Sequence, residues 1–293
     1  MFWRQLLMTL LVLVHSECDD EKLVEFTGKS GNYKVVSTIS LPDIVDETSG
    51  LQIMDSLVLT INDSGNDPVI YGLGISDGKL KKSWFLKDGN NKDWEDIAID
   101  EDYLFVGDFG NNIGSRKDLL IYKITLQQMR ASDTVDAEKI EFSFEDQTSY
   151  LPSIYNHSFD CEALISVGDS LMIFSKDWKS QITSCYALPK MAGSYLAKRK
   201  FEFQSEGLIT GADYLEEENL LVLCGYKSFN PFIWRIKGID FDNGTFSKAV
   251  RYEITDYSGI QNEGLTFLTS DSLYMSSEAR YIKQKIYVIH LSD

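Results

Sequence analysis

The stretch "WEDIAIDEDYLFVGDFGNN", residues 94–112, decides the fold that the sequence predicts. A short apolar strand leads into the turn "DEDY", and a second apolar strand ends in polar residues, which is typical of a β-hairpin. The same pattern recurs in "ETSGLQIMDSLVLTINDSGN" from residue 47, "CEALISVGDSLMIFSKDW" from 161, "ITGADYLEEENLLVLCGYK" from 209 and "NEGLTFLTSDSLYMSSEAR" from 262. Five such hairpins indicate a repeat architecture.

The spacing of the repeats predicts a β-propeller. Matching positions at the start of each hairpin are 46, 67, 48 and 53 residues apart, and further apolar strands follow each hairpin. These steps suit four-stranded blades of about 40–50 residues. The last unit lacks a fourth strand, which "YKVVSTISL", residues 33–41, is expected to supply. We therefore expect an all-β, single-domain propeller over residues 33–293, with five four-stranded blades and a ring closed by the N-terminal strand. Six blades, with a degenerate one in the longest step, and a β-sandwich are the alternatives.

The N-terminus predicts export. "LLMTLLVLV", residues 6–14, is apolar but too short to span a bilayer, which is typical of a cleaved signal peptide over residues 1–17, followed by a linker over 18–32. Two processing routes stay open: cleavage after Ser16, or a lipid anchor on Cys18. The protein is expected at the cell surface or in the periplasm as a lipoprotein of the cell envelope, or secreted.

Charge and composition exclude several functions. The formal net charge of −17 and the pI of about 4.6 argue against nucleic acid as a partner, because phosphate binding needs clustered Lys and Arg. Such acidity suits an exported monomer, or a protein that binds cations. Cys161, Cys185 and Cys224 form no paired motif, so neither a disulfide framework nor a zinc site is expected. His157 and His290 lie far apart in the sequence, which disfavours a His-dependent nucleophile.

Five residues at the starts of the hairpins are expected to form a ring around the propeller axis. They are Ser49, Glu95, Glu162, Thr210 and Glu263. Three carboxylates at close range need a counter-charge, and no Lys or Arg repeats at this level of the sequence. The ring therefore predicts a Ca²⁺ site, with Mg²⁺ as the stricter alternative. The other possibility is a water-filled tunnel with solvated glutamates.

Polar residues near the starts of the first strands and the ends of the returning strands are expected on the same face as this ring. They are Asn62, Asn66, Asp93, Asp96, Asn111, Asn112, Arg116, Lys176, Lys227, Glu278 and Arg280. Their mixed charge predicts a small polar or anionic ligand, such as a glycan or a phosphorylated compound, bound on the face of the first two units. Turn chemistry alone is the alternative explanation. Asp63 and Asp108 are the candidates to orient or deprotonate water in a catalytic site, and Trp94 is expected to pack between blades.

The pattern resembles the calcium-activated nucleotidase (apyrase) family, whose five-bladed propellers hold one Ca²⁺ on the axis. The family's inner strands begin with Ser, Glu, Glu, Ser and Glu, and the ring residues of this chain match that order. "ETSGL" and "NEGLTF" are similar to family motifs, and "LVLTINDSG" aligns Asp63 with a family Asp. The resemblance, which runs from about residue 47 to 267, implies an axial Ca²⁺ and phosphoanhydride hydrolysis.

Two departures weaken the nucleotidase interpretation. The family's turn Arg is replaced by Ser64, and its Gly-Gly-x-Gly-Lys turn by residues 107–111, so basic residues that would hold a polyphosphate are missing. "NDSGN", "DWEDIA" and "GDFGNN" also resemble a group of exported bacterial propeller proteins of uncharacterised function. The leading hypothesis is therefore an exported calcium-binding module for a small polar or anionic ligand. The alternative is a metal-dependent phosphoanhydride or phosphoester hydrolase, and a purely structural interaction protein is a third possibility.

Overall fold

The computed structural model describes residues 23–24, 30–280 and 282–292. The predicted signal peptide and Cys18 lie outside the described residues, so both stay predictions. One α-helix, α1, spans Leu126–Ala131, and short 3-10 helices span Asp43–Val45, Glu216–Glu218 and Thr255–Tyr257. Within the described ranges, no helix is long and apolar enough to cross a membrane.

Strands make up most of the described chain. Two precede the first unit: β1 (Leu23–Val24) and β2 (Asn32–Ser40). The first unit contains β3 (Thr48–Met54), β4 (Leu57–Asn62), β5 (Val69–Gly74) and β6 (Leu80–Leu86). The second contains β7 (Trp94–Ile99), β8 (Tyr103–Asp108), β9 (Leu119–Thr125), β10 (Thr134–Val135) and β11 (Glu138–Phe144).

The remaining strands follow the same order of hairpin and outer strands. The third unit contains β12 (Asp160–Val167), β13 (Ser170–Lys176), β14 (Thr183–Pro189) and β15 (Gly193–Phe203). The fourth contains β16 (Leu208–Leu215), β17 (Leu220–Lys227), β18 (Asn230–Lys237) and β19 (Lys248–Glu253). The fifth contains β20 (Asn262–Thr269), β21 (Ser272–Ser277) and β22 (Lys285–Ser292).

The first strands of the five units contact one another in a closed circle. β3 packs beside β7, β7 beside β12, β12 beside β16, β16 beside β20, and β20 beside β3. Apolar side chains fill the spaces between neighbouring units, and Trp94 is fully buried among them. Since each sheet buries both faces against its neighbours, the strands read as nearly continuous apolar runs, and the polar ends of the hairpins are left to line the ends of the ring.

Sheet pairing differs in three places from separate four-stranded units, the first being the parallel pairing of β1 with β15. β11 pairs in parallel with β15, so the second and third units join at their outer edges into one sheet. β10 adds a fifth strand to β6 of the first unit. At the chain ends, β2 pairs antiparallel with β22, with Asn32 opposite Ser292. Each of these pairings satisfies an edge strand that would otherwise be open.

Each first hairpin contains a β-bulge, which falls at the same repeat position in four units and one residue later in the first. The pairing register shifts between Ser49 and Leu51, Trp94 and Asp96, Cys161 and Ala163, Ile209 and Gly211, and Asn262 and Gly264. The extra residue is therefore Glu95, Glu162, Thr210 or Glu263 in four units, and Gly50 in the first. A bulge leaves its extra residue out of the ladder and changes the direction of its side chain. Four of the five predicted ring residues occupy these positions.

Gly50 is required at its bulge. Its φ is 58°, a conformation that glycine adopts freely. A Cβ atom at Gly50 would lie 2.8 Å from the Ile97 backbone nitrogen, and one at Gly264 would lie 2.8 Å from the Gly50 carbonyl carbon. Close backbone approach between neighbouring first strands therefore needs glycine at both positions.

Two aspartates, the buried Asp96 and the half-buried Asp213, connect all five first strands. Asp96 Oδ2 accepts backbone N–H bonds from Leu164 on β12 at 2.8 Å and from Ala212 on β16 at 3.3 Å. Asp213 Oδ2 accepts the Phe267 N–H on β20 at 2.9 Å, and its Oδ1 accepts the Gln52 amide on β3 at 3.1 Å. Asp96 is fully buried, which differs from its prediction as a ligand-binding residue: it holds strands together inside the ring.

Candidate ligand and metal site

A cavity of about 370 Å³ opens at the end of the ring where first strands begin and second strands end. All five units contribute to its lining: Asp63, Glu95, Asn112, Tyr155, Glu162, Lys176, Trp178, Tyr226, Phe229, Gln261, Glu263 and Arg280. The three ring glutamates therefore face one shared space. The volume lies within the range of about 300–1,000 Å³ that is usual for small-molecule sites.

A tight carboxylate cluster occupies one side of this cavity. Asp63, Asp93 and Glu95 each offer an oxygen, and these oxygens lie within 4.8 Å of one another. Asp63 follows the end of β4, Asp93 immediately precedes β7, and Glu95 is the bulge residue of β7. Gly110 lies beside the cluster, where an added Cβ would be 2.5 Å from Asp93 Oδ2 and would also clash with Glu95 Oε1.

Burial and mutual repulsion disfavour the charged forms of these carboxylates. Burial, followed by the charges of Asp63 and Asp160, raises the pKa of Asp93 to about 7. Burial, followed by the charge of Glu162, raises the pKa of Glu95 well above its usual range. Burial also raises the pKa of Asp63. Without a bound cation, the carboxyl groups of the cluster therefore bind protons more tightly than ordinary carboxyl groups do.

The Glu95 carboxylate has no hydrogen-bond donor within the described part of the chain, although the residue is only 5% exposed. Buried carboxylates are normally paired, since an unpaired charge away from water is costly. An oxygen ligand aimed into an acidic cluster without a partner is chemically suited to coordinate a hard cation.

The other side of the ring has its own counter-charge. The Lys176 ammonium lies 3.0 Å from the Glu162 carboxylate, and both side chains are buried. Lys176 stands at the end of β13, and its long side chain extends into the cavity to the bulge residue on β12. Lys176 was predicted on the same face as the ring glutamates, but its contact with Glu162 was not, because the spacing pattern does not show how far a lysine reaches. Glu263 also lines this side, and burial raises its pKa to about 8.

The two ring hydroxyls make hydrogen bonds to backbone. Ser49 Oγ donates to the Glu95 carbonyl, and Thr210 Oγ1 donates to the Asn262 carbonyl at 2.5 Å. Each bond joins the first strand of one unit to that of the next. Both hydroxyls therefore act between strands, which differs from their prediction as metal ligands.

Several predicted ligand and catalytic residues bind their own loops. The carboxylate of Asp108 accepts a 2.8 Å bond from Arg116, so it is a buried ion-pair partner and not a base facing the cavity. Asn111 donates to the Phe159 carbonyl at 2.8 Å, and its side-chain oxygen accepts the Arg116 N–H at 2.9 Å. These contacts fix the "GDFGNN" turn, and they use the polar atoms that were expected to meet a ligand.

The remaining predicted residues divide between loop contacts and the cavity. Asn62 donates to the Ile44 carbonyl, and Asn66 donates to Glu47 and the Asp63 carbonyl. Lys227 is exposed and is not part of the cavity lining. Asn112 and Arg280 line the cavity. Burial and the charge of Asp63 raise the pKa of Glu278 to about 7, which places it near the same cluster.

Aromatic side chains form cavity walls that the sequence analysis missed. The rings of Tyr155 and Trp178 lie 4.4 Å apart, and those of Tyr226 and Phe229 stack 5.6 Å apart with 7° between their planes. Trp178 lies two residues after the end of β13, and Tyr226 lies one residue before the end of β17. Aromatic residues near the ends of two successive hairpins were the available signal. Tyr155 and Phe229 belong to connecting segments outside the repeat.

A larger cleft of about 690 Å³ lies at the opposite end, beside the hairpin turns of the second and third units. It contains none of the predicted site residues, and its lysines are paired: Lys190 with Asp100 at 2.7 Å, and Lys123 with Glu138 at 3.3 Å. The converging side chains therefore identify the smaller cavity as the candidate site.

Comparison with known proteins supports the fold and gives no family. No protein-family model and no curated protein matches the chain. A PQQ-bound aldose sugar dehydrogenase from Streptomyces coelicolor is similar in structure, with a TM-score of 0.53 and 11% identity over 90% of this chain and 99% of that one. The WD40 repeats of RRP9 have a TM-score of 0.46 and 12% identity over 89% and 100% of the two chains, and a glucose dehydrogenase 0.46 and 7% over 88% and 99%.

These neighbours are β-propeller proteins. At such low identity, the likeness to the aldose sugar dehydrogenase shows the fold alone. The chain is therefore an all-β protein of the propeller type, and its function has to be argued from the site.

Proposed function

We propose that the chain is an exported five-bladed β-propeller that binds Ca²⁺ at Asp63, Asp93 and Glu95, and a small polar ligand in the cavity beside that ion. The five units, the closed circle of first strands and the β2–β22 pairing support the count of five blades. Export rests on residues 1–18, and the first residue of protein recovered from the cell envelope or the medium would test it.

The unpartnered, buried Glu95 carboxylate is the observation that carries the metal proposal. Oxygen ligands lie about 2.3–2.6 Å from Ca²⁺, so two ligands of one ion are at most about 5 Å apart. The oxygens of Asp63, Asp93 and Glu95 lie within 4.8 Å of one another and fit that limit. A divalent cation would also offset the burial and the repulsion that together raise the pKa of Asp93 and of Glu95.

The structural elements that provide the ligands favour Ca²⁺ over Mg²⁺. Two come from turns and one from a bulge, whereas Mg²⁺ requires near-ideal octahedral geometry. Glu162 is a weaker candidate for a shared axial site, because the Lys176 ammonium already neutralises it at 3.0 Å. Of the ring predicted from the sequence, Glu95 is thus the residue we retain as a ligand.

Calcium titration of chelator-treated protein tests this proposal. We expect one Ca²⁺ bound per chain, weaker Mg²⁺ binding, and a higher melting temperature with Ca²⁺, because a ligand that binds only the folded state stabilises it. Asp93→Asn together with Glu95→Gln should abolish both effects. Glu138→Gln, on an outer strand, should leave them unchanged.

A second pair of variants separates this site from an axial one. If the ion sat on the axis, Glu162→Gln together with Glu263→Gln would remove calcium binding while Asp93→Asn would not. We expect instead that Asp93→Asn weakens calcium binding and that the Glu162→Gln, Glu263→Gln protein retains it. Unchanged calcium binding in the Asp93→Asn, Glu95→Gln protein would overturn the proposal. Calcium-dependent phosphate release from nucleoside di- or triphosphates would instead favour the hydrolase.

A further inference from the structure

Two pairs of aromatic side chains form walls of the cavity, and the outer residue of each pair is exposed to solvent. Tyr155 is 57% exposed and Phe229 is 40% exposed, and both line the cavity mouth. Each is backed by a second ring, Trp178 behind Tyr155 and Tyr226 behind Phe229. The lining of the cavity thus combines two pairs of aromatic rings with polar and charged side chains.

Both exposed aromatic residues also have an unfavourable backbone conformation. The φ angles of Tyr155 and Phe229 are 52° and 59°, in the left-handed region. That region costs a bulky residue roughly 1–2 kcal/mol, and glycine or asparagine is the usual occupant. Backbone preference does not explain an aromatic side chain at either position. Each ring packs against a neighbouring ring on one side and is partly exposed at the cavity.

The charges around the walls exclude two ligand classes. Asp63, Glu95, Glu162 and Glu263 line the cavity, so an anion would meet four carboxyl groups. A cationic ligand would compete with the basic side chains that already lie over the aromatic rings. Lys176 Nζ lies 4.7 Å from the Trp178 ring centre, and the Arg280 guanidinium lies 4.6 Å from that of Phe229. With one Ca²⁺ at the cluster, the five carboxylates, counting Asp93, and the two basic groups leave a net charge of −1, which is close to neutral.

We propose that the ligand is a neutral saccharide, with a sugar ring held between the aromatic walls; this rests on the proposed function of a calcium-dependent ligand site. Aromatic faces pack against the C–H faces of a sugar ring, while its hydroxyl groups need both donors and acceptors. Gln261, Asn112 and the carboxylates supply these at the cavity floor. Ca²⁺ coordinates neutral hydroxyl oxygens as well as carboxylates, so the ion would orient the ring.

Calorimetry with defined probes tests the ligand class. The probes are glucose, galactose, mannose, xylose and N-acetylglucosamine with their di- to tetrasaccharides, against glucuronate and ATP as anions and spermidine as a cation. We expect a neutral saccharide to bind in the presence of Ca²⁺. Tyr155→Gly and Phe229→Gly should each weaken it about tenfold or more, while the melting temperature is unchanged, because glycine accepts the left-handed backbone.

Phe85→Ala is the matched control, since Phe85 is also an exposed aromatic residue but lies on β6 away from the cavity. Its saccharide affinity should equal that of the unmodified chain. Preferred binding of ATP, glucuronate or spermidine would overturn the inference. Calcium binding without any saccharide binding would also overturn the saccharide proposal, but it would be consistent with the proposed calcium site. Absent calcium binding would instead refute the proposed function.

Discussion

Lys176 lies 3.0 Å from Glu162 and provides the positive charge inside the ring of carboxylates. Its ammonium also lies 4.7 Å from the centre of the Trp178 ring and 5.7 Å from that of Tyr226. One lysine therefore joins the acidic floor of the cavity to both aromatic walls. This divides the site into a neutralised half around Glu162 and an unneutralised half around Glu95.

Replacement of Lys176 should destabilise the fold strongly. Lys176→Met keeps the volume but leaves Glu162 buried without its partner, and breaking a buried pair in this way costs about 3–5 kcal/mol. Urea unfolding of the metal-free protein measures the change. Adding Glu162→Gln to the same chain should recover at least half of the loss. A loss of less than about 1 kcal/mol for Lys176→Met would mean that Lys176 does not stabilise the Glu162 carboxylate.

The metal-free protein should lose stability as the pH rises. Asp93 and Glu278 have pKa values raised to about 7, and Glu263 to about 8, so the folded state holds these protons more tightly than the unfolded state. Their contribution is complete below the ordinary carboxyl pKa and disappears as the pH passes through 7 to 8.

Unfolding free energies at pH 5 and pH 8.5, measured in chelator, check this dependence. We expect a lower value at pH 8.5, by on the order of a few kcal/mol. Asp93→Asn should reduce the difference, because the amide does not titrate. Added Ca²⁺ should stabilise more at pH 8.5 than at pH 5, since the ion and protons compete for the same oxygens. Equal stabilisation at both values would contradict the cluster as its binding site.

Loss of the Asp96 carboxylate should weaken the centre of the ring. Asp96→Ala leaves the backbone N–H groups of Leu164 and Ala212 without their acceptor, and each unsatisfied buried donor costs about 1–3 kcal/mol. We expect a total loss of roughly 3–5 kcal/mol in urea unfolding, and about half of that for Asp96→Asn. The exposed Asp102→Ala is the control, and a comparable loss there would refute this role.

A single methyl group should block the cation site. The Cβ of Gly110→Ala would enter the space beside Glu95 and Asp93, and it would displace their flexible carboxylate ends. We expect calcium affinity to fall at least about tenfold, with far-ultraviolet circular dichroism unchanged. Calorimetry gives the affinity, and Glu95→Gln is the reference for complete loss. Unaltered affinity in Gly110→Ala would exclude coordination at these oxygens.

The hairpin repeat could be predicted because the same pattern of apolar strands and polar turns occurs in all five units. The starts of β7, β12, β16 and β20 matched the ring residues, since the bulge recurs at one position of the repeat. The parallel pairing of β11 with β15 could not be predicted, because it depends on how neighbouring units meet and not on the pattern within either one.

The candidate site was predicted less completely than the fold. Glu95, Glu162 and Glu263 could be found because they repeat, and they do line one cavity. The reach of Lys176 and the inward direction of Asp96 could not, because strand periodicity does not fix the path of a long side chain or the effect of a bulge. Tyr155 lies in a connecting segment of unpatterned sequence.

The pairing of β2 with β22 determines when the last sheet can form during synthesis of the chain. β2 is among the first strands to be made, and its partner is the last, so their sheet cannot assemble until residue 292 has left the ribosome. A nascent chain would therefore stay open at one seam throughout translation.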